Sequence, residues 1–288
     1  MNTKTKSIIY VLICVLLWAL IPVVSKLGQS NLNNHQFLFW SSLVSSITFM
    51  LIILIQRKGK VLLNLCKRDW IKAIALGLLG TYLYYILLYF GYAKAKGIEV
   101  LIIQYCWPIF VIILSILILK ERINKYKVLS ILLGFSGIFM VLSKGDVSNI
   151  HFDNLFVDFI VLLAAFVFGL FSVLSKRINI DSLSLTSIYF FTALIASFVS
   201  MMVFSDFQLP NSKTILPILI NGIFVNGISY IFWIKALKLG KASFVAPFVF
   251  LTPVISTILI ILFFNEPFHL VYIIGMSLVI VSGLVNRN

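Results

Sequence analysis

The 288-residue chain is poor in acid, with nine Asp and Glu against 23 Lys and Arg, a formal net charge of +14. Charge of either sign is scarce, at 11% of residues, where a soluble domain carries about 25%. That excludes a disordered chain and an ordinary soluble enzyme. There are three cysteines, Cys14, Cys66 and Cys106. The odd number and the absence of ligand spacing predict neither a disulfide nor a metal site. The three histidines, His35, His151 and His269, stand far apart. Neither a Gly-x-Ser-x-Gly motif nor an Asp-rich run accompanies them, so no nucleophile, base or cofactor cluster is expected and the chain reads as a non-enzyme. No segment alternates apolar and polar residues, which excludes a membrane β-barrel. What is present is apolar: 61% hydrophobic residues and a mean hydropathy of +1.09. Lipid, not water, is the solvent such a surface requires.

A helix crosses the bilayer core with about 20 apolar residues. Windows free of Lys, Arg, Asp and Glu run 7–25, 37–56, 73–93, 100–119, 128–143, 159–175, 182–205, 214–234, 242–265 and 267–286. They predict an all-α integral membrane protein of ten transmembrane helices, a single membrane domain over 1–288. Trp18 and Pro22 interrupt the first window and no small-x-small site follows it, so it reads as a membrane helix and not a cleaved leader. With the N-terminus in the cytoplasm, alternation puts 18 of the basic residues inside and five outside. The positive-inside bias thus predicts a cell (cytoplasmic or inner) membrane protein with both termini cytoplasmic. It also removes nucleic acid as a partner, since the basic residues cluster at one membrane face.

The chain repeats itself. Trp18 to Lys26 aligns with Phe168 to Lys176 at an offset of 150. Further on the offset is 145, pairing Gly77 with Gly222, Tyr85 with Tyr230, Pro108 with Pro253 and Glu121 with Glu266. The halves are about 1–145 and 155–288, five helices each. Five is odd, so the second half enters the membrane upside down. Inverted repeats are characteristic of secondary transporters, with the substrate near the midplane.

No charged residue falls in the middle of any window. This argues against a proton relay and against phosphorylated substrates, which need cationic partners. Neutral, zwitterionic or diffusely charged solutes remain. Glu99 and Asp158 sit at helix starts, where the dipole favours a carboxylate. In the third window Tyr82, Tyr85, Tyr89 and Tyr92 share one helical arc, with Gly77, Gly80, Tyr84 and Gly91 opposite. An interfacial aromatic belt suits Tyr92; a cavity lining suits Tyr82, Tyr85 and Tyr89, which lie deeper. In the fourth window Gln104 and Trp107 adjoin Pro108, which interrupts the helix. Pro247 and Pro253 do the same in the ninth, and Pro22 near Trp18 in the first. Asn226, Tyr230 and Trp233 share a face of the eighth, Asn226 serving either a cavity or a helix–helix hydrogen bond. Ser41, Ser42, Ser45, Ser46 and Thr48 give the second a close-packing face, and Trp40 near its end suits the belt. The candidate substrate-binding set is Trp18, Tyr82, Tyr85, Tyr89, Gln104, Trp107, Asn226 and Tyr230.

These residues resemble the drug/metabolite transporter superfamily, specifically tandem EamA-type domains. In that family a mid-helix Pro is followed about 13 residues later by Glu, typically after Gly. Pro108 to Glu121 and Pro253 to Glu266 match, with Lys120 and Asn265 in place of the Gly. Gln104-Tyr105-Cys106-Trp107-Pro108 looks most like the corresponding region of YddG-type amino acid exporters. The resemblance implies export of amino acids and related metabolites through a central cavity lined by Trp107 and the third-helix aromatics. The resulting reading is a secondary transporter exporting neutral or aromatic amino acids, or similar small metabolites, by alternating access. Its partners are a small-molecule substrate and the bilayer, and a monomer is compatible with it. A choline-like quaternary ammonium or other amine is the alternative cargo, through cation–π attraction. A membrane-embedded enzyme and a purely structural subunit are the more distant alternatives.

Overall fold

The structure, a computed structural model, describes residues 2–95, 97–122, 124–146, 154–264 and 268–285, with side chains for all of these except 92, 93 and 97–99. Among the described residues every regular element is helical. Nine spans among the described residues are long and apolar enough to cross a membrane: α1 (Thr3–Gly28), α2 (Asn34–Ile55), α3 (Lys67–Gly91), α4 (Val100–Leu119), α5 (Lys125–Leu142), α6 (Leu155–Lys176), α7 (Ser182–Phe204), α8 (Ser212–Leu239) and α9 (Ala242–Phe264). The tenth window holds a shorter apolar helix, α10 (Val271–Val285), of 15 residues. Residues 265–267, Glu266 among them, lie outside the described residues, as does His151.

Several helices begin earlier than the charge-free windows because polar caps, not the last charge, set their starts. Asn33, Asn124, Asn154, Asp181 and Asn211 each accept backbone N–H bonds in the first turn of α2, α5, α6, α7 and α8. Each satisfies donors that the helix itself leaves orphaned.

The bundle pairs α2 with α7, α4 with α9 and α5 with α10, while α1 packs on α8 and α6 on α3. Small residues permit the closest approaches. A Cβ on Gly137 would lie 2.6 Å from the Gly275 carbonyl, and one on Gly275 2.6 Å from the Gly137 carbonyl, so α5 and α10 meet backbone to backbone. The serine face of α2 does the same against its neighbours. Ser45 Oγ donates to the Gly222 carbonyl of α8 at 2.8 Å, and Ser46 Oγ to the Phe190 carbonyl of α7 at 3.1 Å. In lipid, where apolar surface gains nothing by association, such packing and hydrogen bonding hold helices together. Trp40 is anchored at the edge of the bundle, its Nε1 donating to the Gln208 carbonyl at 2.9 Å.

Two features depart from straight α-helices. Prolines break α1, α4 and α9 outright. Thr3–Trp18 is followed by Ile21–Gly28 with Pro22 in its first turn. Gly97–Gln104 is followed by Trp107–Leu119 with Pro108 in its first turn. In α9, Pro247 opens a 3-10 segment, Ala246–Phe250, and Pro253 falls in the first turn of Leu251–Phe264. The second feature is a π-helical stretch in α3, Leu78–Leu83, and another in α8, Asn221–Ile228. They cover equivalent positions of the two halves at the offset of 145. The carbonyls released there find side-chain donors: Thr81 Oγ1 reaches the Gly77 carbonyl at 2.6 Å, and Ser45 Oγ reaches that of Gly222. Single-turn π segments cluster at functional sites.

Candidate functional site: an aromatic cavity among broken helices

The break in α1 leaves Trp18 as the last residue of its first half, and the break in α4 leaves Gln104 and Trp107 on either side of a two-residue gap. The three broken helices bring these ends together at the centre of the bundle. A cavity of about 20 Å³ lies there, lined by Trp18, Tyr84, Tyr85, Gln104, Trp107 and Tyr230 among others. Such a volume holds about one water, so the cavity is contracted.

Ring edges meet ring faces around Trp18 and Trp107, while Tyr84 meets Tyr85 and Phe168 in tilted pairs. Trp18 packs edge-on against Trp107 at 5.9 Å, Phe168 at 5.9 Å and Tyr230 at 5.8 Å. Trp107 meets Phe168 at 4.9 Å. These spacings suit aromatic quadrupoles. Polar atoms are paired around them. Gln104 Nε2 donates to the Tyr84 hydroxyl at 2.9 Å. Tyr230 donates to the Tyr85 oxygen at 3.1 Å, and Tyr85 to Asn226 Oδ1 at 2.9 Å. Of the buried side-chain polar atoms without a hydrogen-bond partner among the described residues, three belong to the cavity lining or to the residue directly behind it: Trp18 Nε1, Thr252 Oγ1 and Asn226 Nδ2.

Of the eight candidates read from the sequence, Trp18, Tyr85, Gln104, Trp107 and Tyr230 line this cavity. Asn226 lies one hydrogen bond behind it, on Tyr85. Tyr89 is buried beside Tyr85 at 5.5 Å and also packs on Phe37. Tyr82 is half-buried and packs against the core away from the cavity lining. The side chains of Tyr92 and Glu99 lie outside the described residues. Asp158 stands in the first turn of α6, and both its carboxylate oxygens are buried without a hydrogen-bond partner among the described residues.

Tyr84, placed opposite the tyrosine arc with the glycines, keeps their side and lines the cavity as well. It packs on Phe168 of α6 at 4.5 Å and holds Gln104, while Gly80 and Gly91 face Phe171 and Val161 of the same helix. Tyr84 and Tyr85 both follow the π stretch Leu78–Leu83 in one regular segment, so the cavity spans the ~100° between them.

Phe168 and Thr252 were also missed, and the repeat held the signal. The lining contains both members of four equivalent pairs: Trp18 and Phe168, Tyr85 and Tyr230, Gln104 and Val249, Trp107 and Thr252. Listing the mates of the first-half residues would have found them.

A second structure closes one end of the bundle. Glu121, just beyond α4, accepts from the Ala242 N–H at 2.9 Å and the Ser243 N–H at 3.0 Å, capping α9. It also accepts from the Ser243 hydroxyl at 2.7 Å and pairs with Lys176 of α6 at 3.3 Å. Lys127 of α5 donates to the same Ser243 hydroxyl at 3.0 Å. Burial pushes the Glu121 carboxyl upward, but the donors of Ser243 and Ala242 and the Lys176 charge outweigh it and hold the group below the ordinary carboxylate range. Four helices are thereby latched at one point. A separate, larger cavity of about 400 Å³ lies elsewhere, lined by Gln56, Lys58, Asp181 and Lys235 among others. It shares no residue with the aromatic one and lies where helices end, so size alone does not make it the stronger candidate.

A model of the EamA-like transporter family matches residues 5–143 and again 155–286. The chain belongs to the EamA-like transporter family. As an EamA protein it is a multi-pass membrane transporter with two EamA repeats, and not an enzyme. It is 24% identical over 277 residues to the uncharacterized transporter YoaV of Bacillus subtilis, covering 94% of this chain and 93% of that one. It is also 24% identical over 277 residues to an S-adenosylmethionine uptake transporter of Rickettsia prowazekii, covering 92% and 87%. A solved crystal structure shares the fold with a TM-score of 0.86 at 17% identity, covering 97% of this chain and 96% of the other.

Proposed function

We propose that this EamA protein is a secondary transporter that exports neutral or aromatic amino acids, or related small metabolites, from the cytoplasm by alternating access. In this reading ten helices form one membrane domain of two inverted five-helix repeats, with both termini cytoplasmic. Trp18, Tyr85, Gln104, Trp107 and Tyr230 form the substrate site. Tyr89 and Asn226 support it, and Tyr82 joins it when the bundle opens. The observation that carries the reading is the aromatic cavity buried where three proline-broken helices meet, since broken helices at matching places in two halves mark transport sites. The exchange of packing partners supports the inverted arrangement: α1 on α8 answers α6 on α3, and α2, α4 and α5 each pair with their own counterpart. The positive-inside distribution puts the Glu121 latch on the cytoplasmic face, where it must release for a substrate to enter from that side.

Counterflow in proteoliposomes tests this, with a labelled panel of amino acids, choline and S-adenosylmethionine. At least one amino acid is expected to exchange, and Trp107→Ala to slow it by about tenfold or more, the loss of a central aromatic contact of roughly 1.5–3 kcal/mol. An unchanged rate in that variant rejects the site. Exchange of choline alone rejects the cargo.

A further inference from the structure

Each helix break exposes two opposed ends. The second halves of α1 and α4 begin at Ile21 and Trp107, and both residues line the cavity beside Thr252. Two helix N-termini, in segments of 8 and 13 residues, therefore adjoin one small volume. Each end carries the equivalent of about half a positive charge. The lining holds no Lys, Arg, Asp or Glu to neutralise that field.

Two side chains independently ask for a ligand at this point. Trp18 is 5% exposed and Thr252 1% exposed. Both line the cavity, and neither Trp18 Nε1 nor Thr252 Oγ1 has a hydrogen-bond partner among the described residues. An indole N–H can only donate. Left buried without an acceptor, it forfeits the hydrogen bond that water would give it.

We infer that the cavity is a carboxylate seat: the substrate's carboxylate accepts from Trp18 Nε1 and the Thr252 hydroxyl, in the field of the two half-helix N-termini. The other ends of the breaks complete it. The first halves of α1 and α4 finish at Trp18 and Gln104, so their negative ends and the faces of Trp107 and Phe168 receive an ammonium. The site thus selects a zwitterion over an amine of the same shape. This inference rests on the proposed transport reading and specifies its substrate class.

The test uses the full-length protein in lipid nanodiscs and compares binding of L-phenylalanine, its amide, phenethylamine and choline. The acid is expected to bind about tenfold or more tightly than the amide and the amine, ~1.4 kcal/mol or more. In Trp18→Phe and Thr252→Val, which keep shape and remove one donor each, the ratio of acid to amide falls toward unity. Equal binding of acid and amide by the unaltered protein overturns the carboxylate seat and leaves the transport reading standing. Binding of choline in preference to all three overturns the seat and the amino acid cargo together, as does binding of none. The comparison on the unaltered protein decides the matter even if a variant fails to fold.

Discussion

Single residues carry two kinds of information here. Lys120 ends α4 in a left-handed conformation, φ 54° and ψ 34°, with the following Glu121 N–H bonded to the Ser115 carbonyl. Glycine adopts that geometry without the Cβ clash of an L-residue, which explains why the family pattern has Gly before the Glu. Lys120→Gly is expected to stabilise the protein by about 1 kcal/mol, read as a rise in the unfolding temperature in detergent. A drop would mean that the Lys120 side chain contributes more than its backbone costs. The cavity residues differ in how legible they were. Trp18, Gln104 and Trp107 stand beside prolines and announce themselves. Tyr84 did not, because the 100° step from Tyr85 puts it outside the tyrosine arc. Thr252 is inconspicuous by type, and only its equivalence to Trp107 points to it.

At the scale of elements, the breaks and the latch matter most. Prolines 22, 108, 247 and 253 were readable as interruptions because a missing N–H and a ring clash act locally. The latch was not readable, although Glu121 stood out as part of the repeat. Its partners, Ala242, Ser243 and Lys176, come from helices distant in the chain. Glu121→Gln keeps the shape and removes the charge. It is expected to lower stability at neutral pH by roughly 1–3 kcal/mol, the value of charge-assisted hydrogen bonds. The pH dependence has a definite sign. The folded state holds this carboxyl below its ordinary range, near 4.3 for a free Glu. Its contribution is therefore complete above that value and is lost as pH falls through the lower, folded one. Thermal unfolding from pH 7 to 3 should show this acid-side step in the unaltered protein and a smaller step in the variant. Identical profiles would mean that the ion pair adds nothing to stability.

For the whole molecule, the consequential feature is a polar but uncharged centre. No carboxylate lines the aromatic cavity, and a carboxylate at that depth is the usual proton carrier. Transport is therefore expected to follow the substrate gradient and to persist when a pH gradient across proteoliposomes is collapsed with the substrate gradient held constant. Transport that stops under that treatment would require a proton site outside the cavity, with Asp158 at the start of α6, whose carboxylate oxygens have no hydrogen-bond partner among the described residues, the first residue to replace.

Sequence by itself determined the class of solvent, the helical spans, the doubling of the chain and the positions of the breaks. These follow from composition, run length and proline chemistry, all properties of a few neighbouring residues. Tertiary structure alone decided which residues face the centre and which helices are tied together. Thr81 Oγ1 reaches across to the Tyr189 carbonyl, and Asn221 Nδ2 to Ser41. Such contacts between distant segments accompany the widened turns at Leu78–Leu83 and Asn221–Ile228. A periodicity that assumes 100° per residue has no means of anticipating them.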